Sequence, residues 1–210
     1  MITVYNSGVP AEPKLVSYFE RFTHLSPAFK QTLSEKIKYK KVVKGEFFFK
    51  EGNPAEELYF ITKGLVRSYA RYKGKEITLW INAEAEIFTS TRGFVNNNVS
   101  DENIVACEDC ELEYITKTDL NNLFNSFYES YILTRLILEQ YYLDANERAF
   151  ISKIQGAKDR YEYFLKSKKG YLMNRAALKY IASFLGIRLE TFSRLRTSLK
   201  NNDKHTTASY

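Results

Sequence analysis

The sequence predicts an α+β chain: an N-terminal antiparallel β-roll, one long helix and a C-terminal helix-turn-helix. Three observations predict it. Between Lys41 and Ile115 the chain breaks into eight short segments rich in Phe, Tyr, Ile and Val, separated by turns that carry Gly, the punctuation of a compact antiparallel barrel or roll. From Phe127 to Ile154 there is no Pro or Gly, so nothing interrupts a helix there. Leu178 to Leu199 then reads as two short amphipathic helices about a glycine.

The first 13 residues contain Gly and Pro and are expected to be a loose lead. Lys14 to Tyr39 reads as helix, with Leu15, Tyr18, Phe19 and Phe22 at helical spacing. Ser26-Pro27 restarts a second helix within it, Ser26 as cap and Pro27 at the first position, with Leu33 and Ile37 inward. The strand segments are Lys41–Lys44, Glu46–Lys50, Glu57–Thr62, Leu65–Tyr72, Glu76–Ile81, Ile87–Thr89, Asn103–Cys107 and Glu111–Ile115. Lys44-Gly45, Glu51-Gly52-Asn53-Pro54, Lys63-Gly64 and Lys73-Gly74 turn between them.

Arg92 to Glu102 is polar and reads as a loop, or a short helix and a loop. Lys117 to Asn125 reads as a short helix capped by Thr116 or Thr118. In the long helix, Ile132, Leu136, Leu143 and Phe150 fall near a heptad seam that Glu139 and Asn146 interrupt. A half-polar seam of this kind predicts a dimerising coiled coil, the polar residues fixing register. The competing reading is a helix packed on its own roll. Asp159 to Ser167 is a further helix, and Asn201 to Tyr210 is expected to be a disordered tail. The expected domains are residues 1–126 (roll and flanking helices), 127–155 (long helix), 156–200 (helix-turn-helix) and 201–210 (tail).

Within Leu178–Leu199, Ile181, Ala182 and Leu185 share one helix face, Gly186 is free to take the left-handed conformation, and Ile187 plugs the turn. Phe192, Leu195 and Leu199 make the inner face of the second helix. A small residue at the crossing, with Gly four positions on, is the pattern of a DNA-binding helix-turn-helix. The outward residues of the second helix, spanning 188–199, are Arg188, Glu190, Thr191, Ser193, Arg194, Arg196 and Thr197, side chains that read base edges or hold phosphates.

Charge agrees. The chain carries +6, but residues 151–210 hold 13 Lys/Arg against 4 Asp/Glu, while the remainder is slightly acidic. A basic module attached to an acidic body is the electrostatic footprint of nucleic-acid binding. Hydrophobic content of 44% and aromatic content of 15% are enough to fill a core. No apolar run approaches membrane-helix length, and the first residues lack the order of a signal peptide. The expected location is the cytoplasm, with no membrane partner.

Little else supports chemistry. Cys107 and Cys110 have metal-ligand spacing, but a closed zinc site needs four ligands and there is no second cysteine pair. They read as a small core residue and a bystander, with a redox switch as the sharper alternative. His24 and His205 are far apart, and no Gly-rich phosphate loop is present. No catalytic residue, metal or cofactor is therefore expected, and the chain is not read as an enzyme. Trp80, the sole tryptophan, either lines the roll's interior or is plain core.

Five stretches carry a resemblance to a known family: Phe49-Lys50-Glu51-Gly52; Leu58-Tyr59-Phe60-Ile61-Thr62-Lys63-Gly64; Gly74-Lys75-Glu76-Ile77; Ile181-Ala182-Ser183-Phe184-Leu185-Gly186-Ile187; and Glu190-Thr191-Phe192-Ser193-Arg194. In this order, over residues 15–200, the chain resembles the cyclic-AMP receptor and fumarate–nitrate regulator (Crp/Fnr) family of bacterial transcription factors. The resemblance implies a cyclic-nucleotide-binding-like jelly roll and base contacts from Glu190 and Arg194. Many members have Arg where this chain has Leu189, which would instead offer a thymine methyl an apolar contact.

The ligand pocket departs further. Aligned on Glu86-Ile87-Phe88 and Ala106, the family's Gly-Glu pair falls on Thr89-Ser90 and its phosphate-binding Arg-Ser pair on Ser100-Asp101. The phosphate-binding arginine is gone, and an aspartate there repels a phosphate. Phe88, Thr89, Ser90, Arg92, Ser100 and Asp101 are the pocket candidates. The pocket is expected either to take another effector, through a rearranged Arg92, or to be filled by side chains such as Phe94 and those of the tyrosine-rich long helix.

The expected function is a homodimeric, sequence-specific transcription regulator that does not respond to cyclic AMP. Its partner is double-stranded DNA carrying an inverted repeat, with RNA polymerase as a candidate further partner and an unidentified small-molecule effector. Arg188, Leu189, Glu190, Thr191, Ser193 and Arg194 face base edges, and Arg175, Lys179, Arg196 and Lys200 face phosphates. Ile132, Leu136, Leu143, Asn146 and Phe150 dimerise. The alternative is a small-molecule sensor that acts through protein contacts and binds DNA only loosely.

Overall fold

The computed structural model describes residues 12–96 and 99–206, the side chains of 199–206 excepted. By internal contacts the chain divides into two units, Met1–Arg71 with Leu79–Gln140, and Tyr72–Thr78 with Tyr141–Tyr210.

The first unit is the roll with its helices. All eight expected strands form: β1 Lys38–Val42, β2 Phe47–Phe49, β3 Glu57–Lys63, β4 Val66–Tyr72, β5 Lys75–Asn82, β6 Ile87–Phe88, β7 Asn103–Ala106 and β8 Cys110–Thr116. They pair as two four-stranded sheets, β1-β8-β3-β6 and β2-β7-β4-β5, antiparallel in the ladders β1·β8, β3·β8, β3·β6, β2·β7 and β4·β7. Gly64 shows why one corner needs glycine. Its φ is +114°, and a Cβ there would lie 2.5 Å from Cys110 Sγ.

The first sheet is buried on both faces. On β3, Tyr59 and Ile61 point between the sheets with Val42, Phe49, Val66, Phe88, Ile104 and Leu112. Phe60 points the other way with Ile115, beneath Leu15, Phe19, Phe29, Leu33, Leu123 and Leu133. Consecutive burial of Tyr59, Phe60 and Ile61 follows from this two-sided cover. The covering helices are α1 Lys14–Glu20, α2 Pro27–Lys36, α4 Lys117–Ser126 and the start of α5 Glu129–Lys153. Ser26 caps α2 as expected, its Oγ accepting from the Phe29 amide at 3.2 Å. Thr116, rather than Thr118, caps α4. The polar stretch after β6 forms α3, Thr91–Asn96; Asn97 and Asn98 lie outside the described residues.

Two expectations are corrected. Tyr39 is not helical: Lys38–Val42 pairs with β8, Tyr39 opposite Glu113, so ladder pairing overrides the helical spacing of the residues before it. The second helix of the helix-turn-helix does not end at Leu199. It runs Leu189–Thr206, so the tail expected to be disordered from Asn201 is helical through Thr206. Nothing in that run is Pro or Gly. Residues 1–11 and 207–210 lie outside the described residues.

The second unit contains α6 Ala157–Lys166, a single 3₁₀ turn Gly170–Asn174, α7 Leu178–Phe184 and α8 Leu189–Thr206. Its core gathers Tyr161, Phe164, Leu172, Ile181, Ala182, Leu185, Ile187 and Phe192, all buried. Tyr161 meets Phe192 edge-on at 5.3 Å. The hairpin tip Tyr72–Thr78 belongs to this unit. There the Thr78 amide donates to Ser183 Oγ at 2.9 Å, and Ser183 donates to the Glu76 carbonyl at 3.2 Å.

Candidate functional site

The helix-turn-helix is built as its residues dictate. Gly186 has φ +62°. The Ile187 amide reaches back to the Ala182 carbonyl at 2.9 Å and the Gly186 amide to Ser183 at 3.1 Å. These are the paired bonds of a Schellman stop. Buried Ala182 lies at its third residue and buried Ile187 just beyond it. Phe192 is fully buried and fixes which way α8 rotates.

That rotation exposes Arg188, Leu189, Glu190, Thr191, Ser193, Arg194 and Thr197. Arg188 stands just before the first turn and its carbonyl accepts from the Phe192 amide at 2.9 Å. Glu190, in the first turn, suits the positive end of the helix. Among the phosphate candidates, Lys179 is exposed with its ammonium 5.1 Å from the Tyr180 ring centre, while Arg175 and Arg196 are half-buried. The side chain of Lys200 lies outside the described residues. Sequence reasoning missed Arg160 of α6, whose guanidinium donates to the Gly186 carbonyl at 3.4 Å and braces the turn. Its signal was spacing alone, one helix upstream in a basic third.

Along α5, Leu133 is buried against the first unit's helices with Ile137 partly so. Ile132 and Leu136 are half-buried, and Leu143, Asn146 and Phe150 are exposed. Leu143 is 60% and Phe150 55% exposed, beside Tyr142 at 65% and Leu138 at 58%. Phe150 also meets the Tyr163 ring at 5.3 Å. Glu139 is paired within the helix to Arg135 at 2.5 Å.

Among the pocket candidates, Thr89, Ser100, Arg92 and Asp101 spend their polar groups on one another or on the chain, while Ser90 does not. Thr89 Oγ1 donates to the Glu57 carbonyl at 2.9 Å. Ser100 Oγ donates to the Glu102 carbonyl at 2.6 Å. Arg92 pairs with Asp101 at 3.2 Å, both exposed. Ser90 is fully buried, and its Oγ has no hydrogen-bond partner among the described residues. Phe88 is buried, stacked on Tyr59 at 5.2 Å and edge-on to Phe48 at 5.0 Å. Trp80 stands 5.9 Å from Phe88 at the margin of this cluster. These rings pack as one cluster between the sheets. Phe94, expected to do so, is half-buried and lies under the Lys117 ammonium at 5.2 Å.

The residue that reasoning from sequence missed is Glu102. It is buried, its carboxylate accepting a hydrogen bond from the Ser68 hydroxyl. Burial pushes its pKa above the ordinary value, and the Ser68 bond pulls against that. In the sequence it sits in Ser-Asp-Glu-Asn, which reads as a solvated loop.

Cys110 is buried in the roll core and Cys107 is half-buried; both are free thiols. Burial pushes the Cys107 thiol up to about 11, against the pull of Arg67, the reverse of the depressed pKa that reactive cysteines carry. Among the described residues no group of three or more His, Cys, Asp or Glu could hold a metal ion. None of their helices is long and apolar enough to cross a membrane.

Residues 39–127 match the family model described as the cyclic nucleotide-binding domain. No curated protein sequence matches the chain. Solved structures do. FixK2 from Bradyrhizobium japonicum superposes with a TM-score of 0.67 at 19% identity, covering 80% of this chain and 86% of that one. A transcriptional regulator of the Crp/Fnr family from Eubacterium rectale gives 0.69 at 18% identity, covering 89% and 88%. The c-di-GMP-responsive regulator CLP from Xanthomonas campestris gives 0.65 at 18% identity, covering 85% and 93%. At such identities the likeness establishes the fold: a cyclic-nucleotide-type roll followed by a helix-turn-helix.

Proposed function

We propose that this chain, which has the fold of the Crp/Fnr regulators, is a homodimeric, sequence-specific DNA-binding transcription regulator of the cytoplasm that works without cyclic AMP. One observation carries the reading: the Gly186 stop and the buried Phe192 turn Arg188, Leu189, Glu190, Thr191, Ser193 and Arg194 outward on one helix end. Such a helix end fits the major groove, where Arg reads guanine and Glu accepts from the cytosine amino group. Lys179, Arg175 and Arg196 are the assigned phosphate contacts, with Lys200 as a further one. The exposed Leu143 and Phe150 of α5 support pairing with a second copy, with Asn146 between them setting register. A two-fold dimer then reads two half-sites about one helical turn apart.

Independence of cyclic AMP is supported by the ring cluster between the sheets and by Asp101, paired with Arg92, an acid where the resemblance puts the phosphate-binding residues. The experiment is selection from a random-sequence DNA library by the purified protein, with and without cyclic AMP, at one stated salt concentration. Recovery of an inverted repeat without nucleotide is the expected result. Recovery only with nucleotide overturns the nucleotide-free part. No enriched sequence in either condition overturns sequence-specific binding and favours a sensor that signals through protein contacts.

A further inference from the structure

The turn between β4 and β5 is Lys73-Gly74, and both residues have positive φ, +49° and +75°. A two-residue hairpin turn of that hand favours Asn-Gly or Gly-Gly. A lysine there accepts an uncommon backbone conformation and sets an ammonium at the tip. Tyr72 beside it is 62% exposed, and its ring centre stands 5.4 Å from that ammonium. Lys75 opens β5 and is also exposed. Neither lysine is in an ion pair among the described residues. Glu76 alternates to the opposite face of the strand from Lys75, the face of buried Thr78.

This tip belongs with the helix-turn-helix and not with the sheet it leaves. It is pinned at Ser183 of α7, whose hydroxyl accepts from the Thr78 amide and donates to the Glu76 carbonyl across 107 positions of sequence. Ser183 lies four residues after Lys179, so the two share one stripe of α7, a helical turn apart. Lys179 is exposed and already assigned to a phosphate. Lys75 is the residue next to Glu76, and Lys73 stands two before it. The backbone that carries these two cations is therefore held on the stripe that carries Lys179. Exposed cations arrayed in this way neutralise backbone phosphates without reading sequence.

We propose that the β4–β5 tip is a second phosphate-binding element of the DNA interface, with Lys73 and Lys75 holding the DNA backbone beside Lys179. The inference rests on the reading of the helix-turn-helix as a DNA binder and adds to it a contact from the roll's own hairpin.

The test titrates the purified full-length protein against a random-sequence duplex, and against the duplex recovered by selection, at several salt concentrations. Lys73→Asn suits the turn and Lys75→Gln lies at an exposed position, so together they remove two charges at little cost to the fold. The double variant is expected to reduce the salt slope by about 2 on both duplexes and to select the same sequence as the wild type. A control pair of exposed roll lysines, Lys36→Gln with Lys50→Gln, should keep the wild-type slope. The proposal is overturned if the tip variant keeps the wild-type slope, or if the control pair lowers it as much, since net charge alone then accounts for the loss. Should the double variant fold poorly, Lys75→Gln alone carries the test, with an expected change of about 1. Failure of sequence-specific recognition looks different: the wild type then enriches no sequence, while the slope on the random duplex still reports the tip. A wild type that binds neither duplex overturns both.

Discussion

Glu113 Oε2 accepts a hydrogen bond from the Leu15 backbone at 2.7 Å across 98 positions of sequence. Its other oxygen takes the Lys14 amide at 2.9 Å. A buried strand carboxylate thus closes the first turn of α1, which has no side-chain cap of its own. Unsatisfied amides at a helix N-terminus favour a negative partner. Glu113→Ala should cost about 2–3 kcal/mol in urea unfolding, and Glu113→Gln, which keeps one acceptor, about 1 kcal/mol. Equal costs for the two would mean that the cap rests on the charge and that a neutral acceptor contributes nothing.

Arg194 and Lys179 should separate base reading from phosphate holding. Arg194→Ala should cost about 1–3 kcal/mol on the selected site and relax preference at one base position. Lys179→Ala should weaken all sequences alike and reduce the salt slope by about 1. Binding titrations on selected and random duplexes at several salt concentrations measure both.

In the dimer proposed above, Leu143→Glu or Phe150→Glu should leave monomer, seen by sedimentation, while thermal unfolding of the monomer shifts by no more than about 0.5 kcal/mol. Both side chains are more than half exposed, so within one chain they have little packing to lose. A DNA affinity that collapses along with the dimer would tie recognition to pairing.

Two glycines with positive φ should behave differently. At Gly186 a Cβ meets nothing within 4 Å, so Gly186→Ala suffers backbone strain alone, about 1–2 kcal/mol. At Gly64 a Cβ would press on Cys110 Sγ at 2.5 Å and on the Asp109 carbonyl at 2.9 Å. Gly64→Ala should therefore cost about 3 kcal/mol or more. Chemical denaturation ranks them.

Acid should favour the fold at Glu102. Its folded pKa is raised above the ordinary 4.5, chiefly by burial, so the folded state binds its proton at higher pH than the unfolded state does. The stability this proton contributes is complete below 4.5 and is lost as pH rises through the raised value. Glu129 runs the other way. The Ser26 bonds lower its pKa, and its contribution is present above 4.5 and fades as pH falls through the lowered value. Stability measured across this range in wild type and Glu102→Gln should differ in slope by the Glu102 proton, the variant losing the acid-side gain.

The strands were legible because they are short and mostly aromatic or β-branched, with glycine at four of the turns; seven fell close to where those signals put them, and the first began three residues earlier, at Lys38. The helix-turn-helix was legible for a similar local reason, since Ala182, Gly186 and Phe192 act within a few residues of one another. Tyr39 was misread because its strand exists only through pairing with residues some seventy positions later. The interior of the roll was illegible for a related reason. Phe48, Tyr59 and Phe88 come from three distant strands, and no spacing announces that their rings meet. Glu102 is the sharpest case: a carboxylate among polar neighbours looks solvated until folding buries it against Ser68 of a distant strand.

The two-sided burial of β3 has a consequence for synthesis. Its ladder partner β8 begins 47 positions after β3 ends, so the ribosome presents Tyr59, Phe60 and Ile61 roughly 3–10 seconds before their partner strand. During that interval Phe60 can meet only α1 and α2, and Tyr59 and Ile61 still lack Ile104 and Leu112 of the later strands. Closing so long a loop is entropically slow, and the nascent chain is most exposed to aggregation at that stage. A holding chaperone would find its target there, well before the helix-turn-helix has been made.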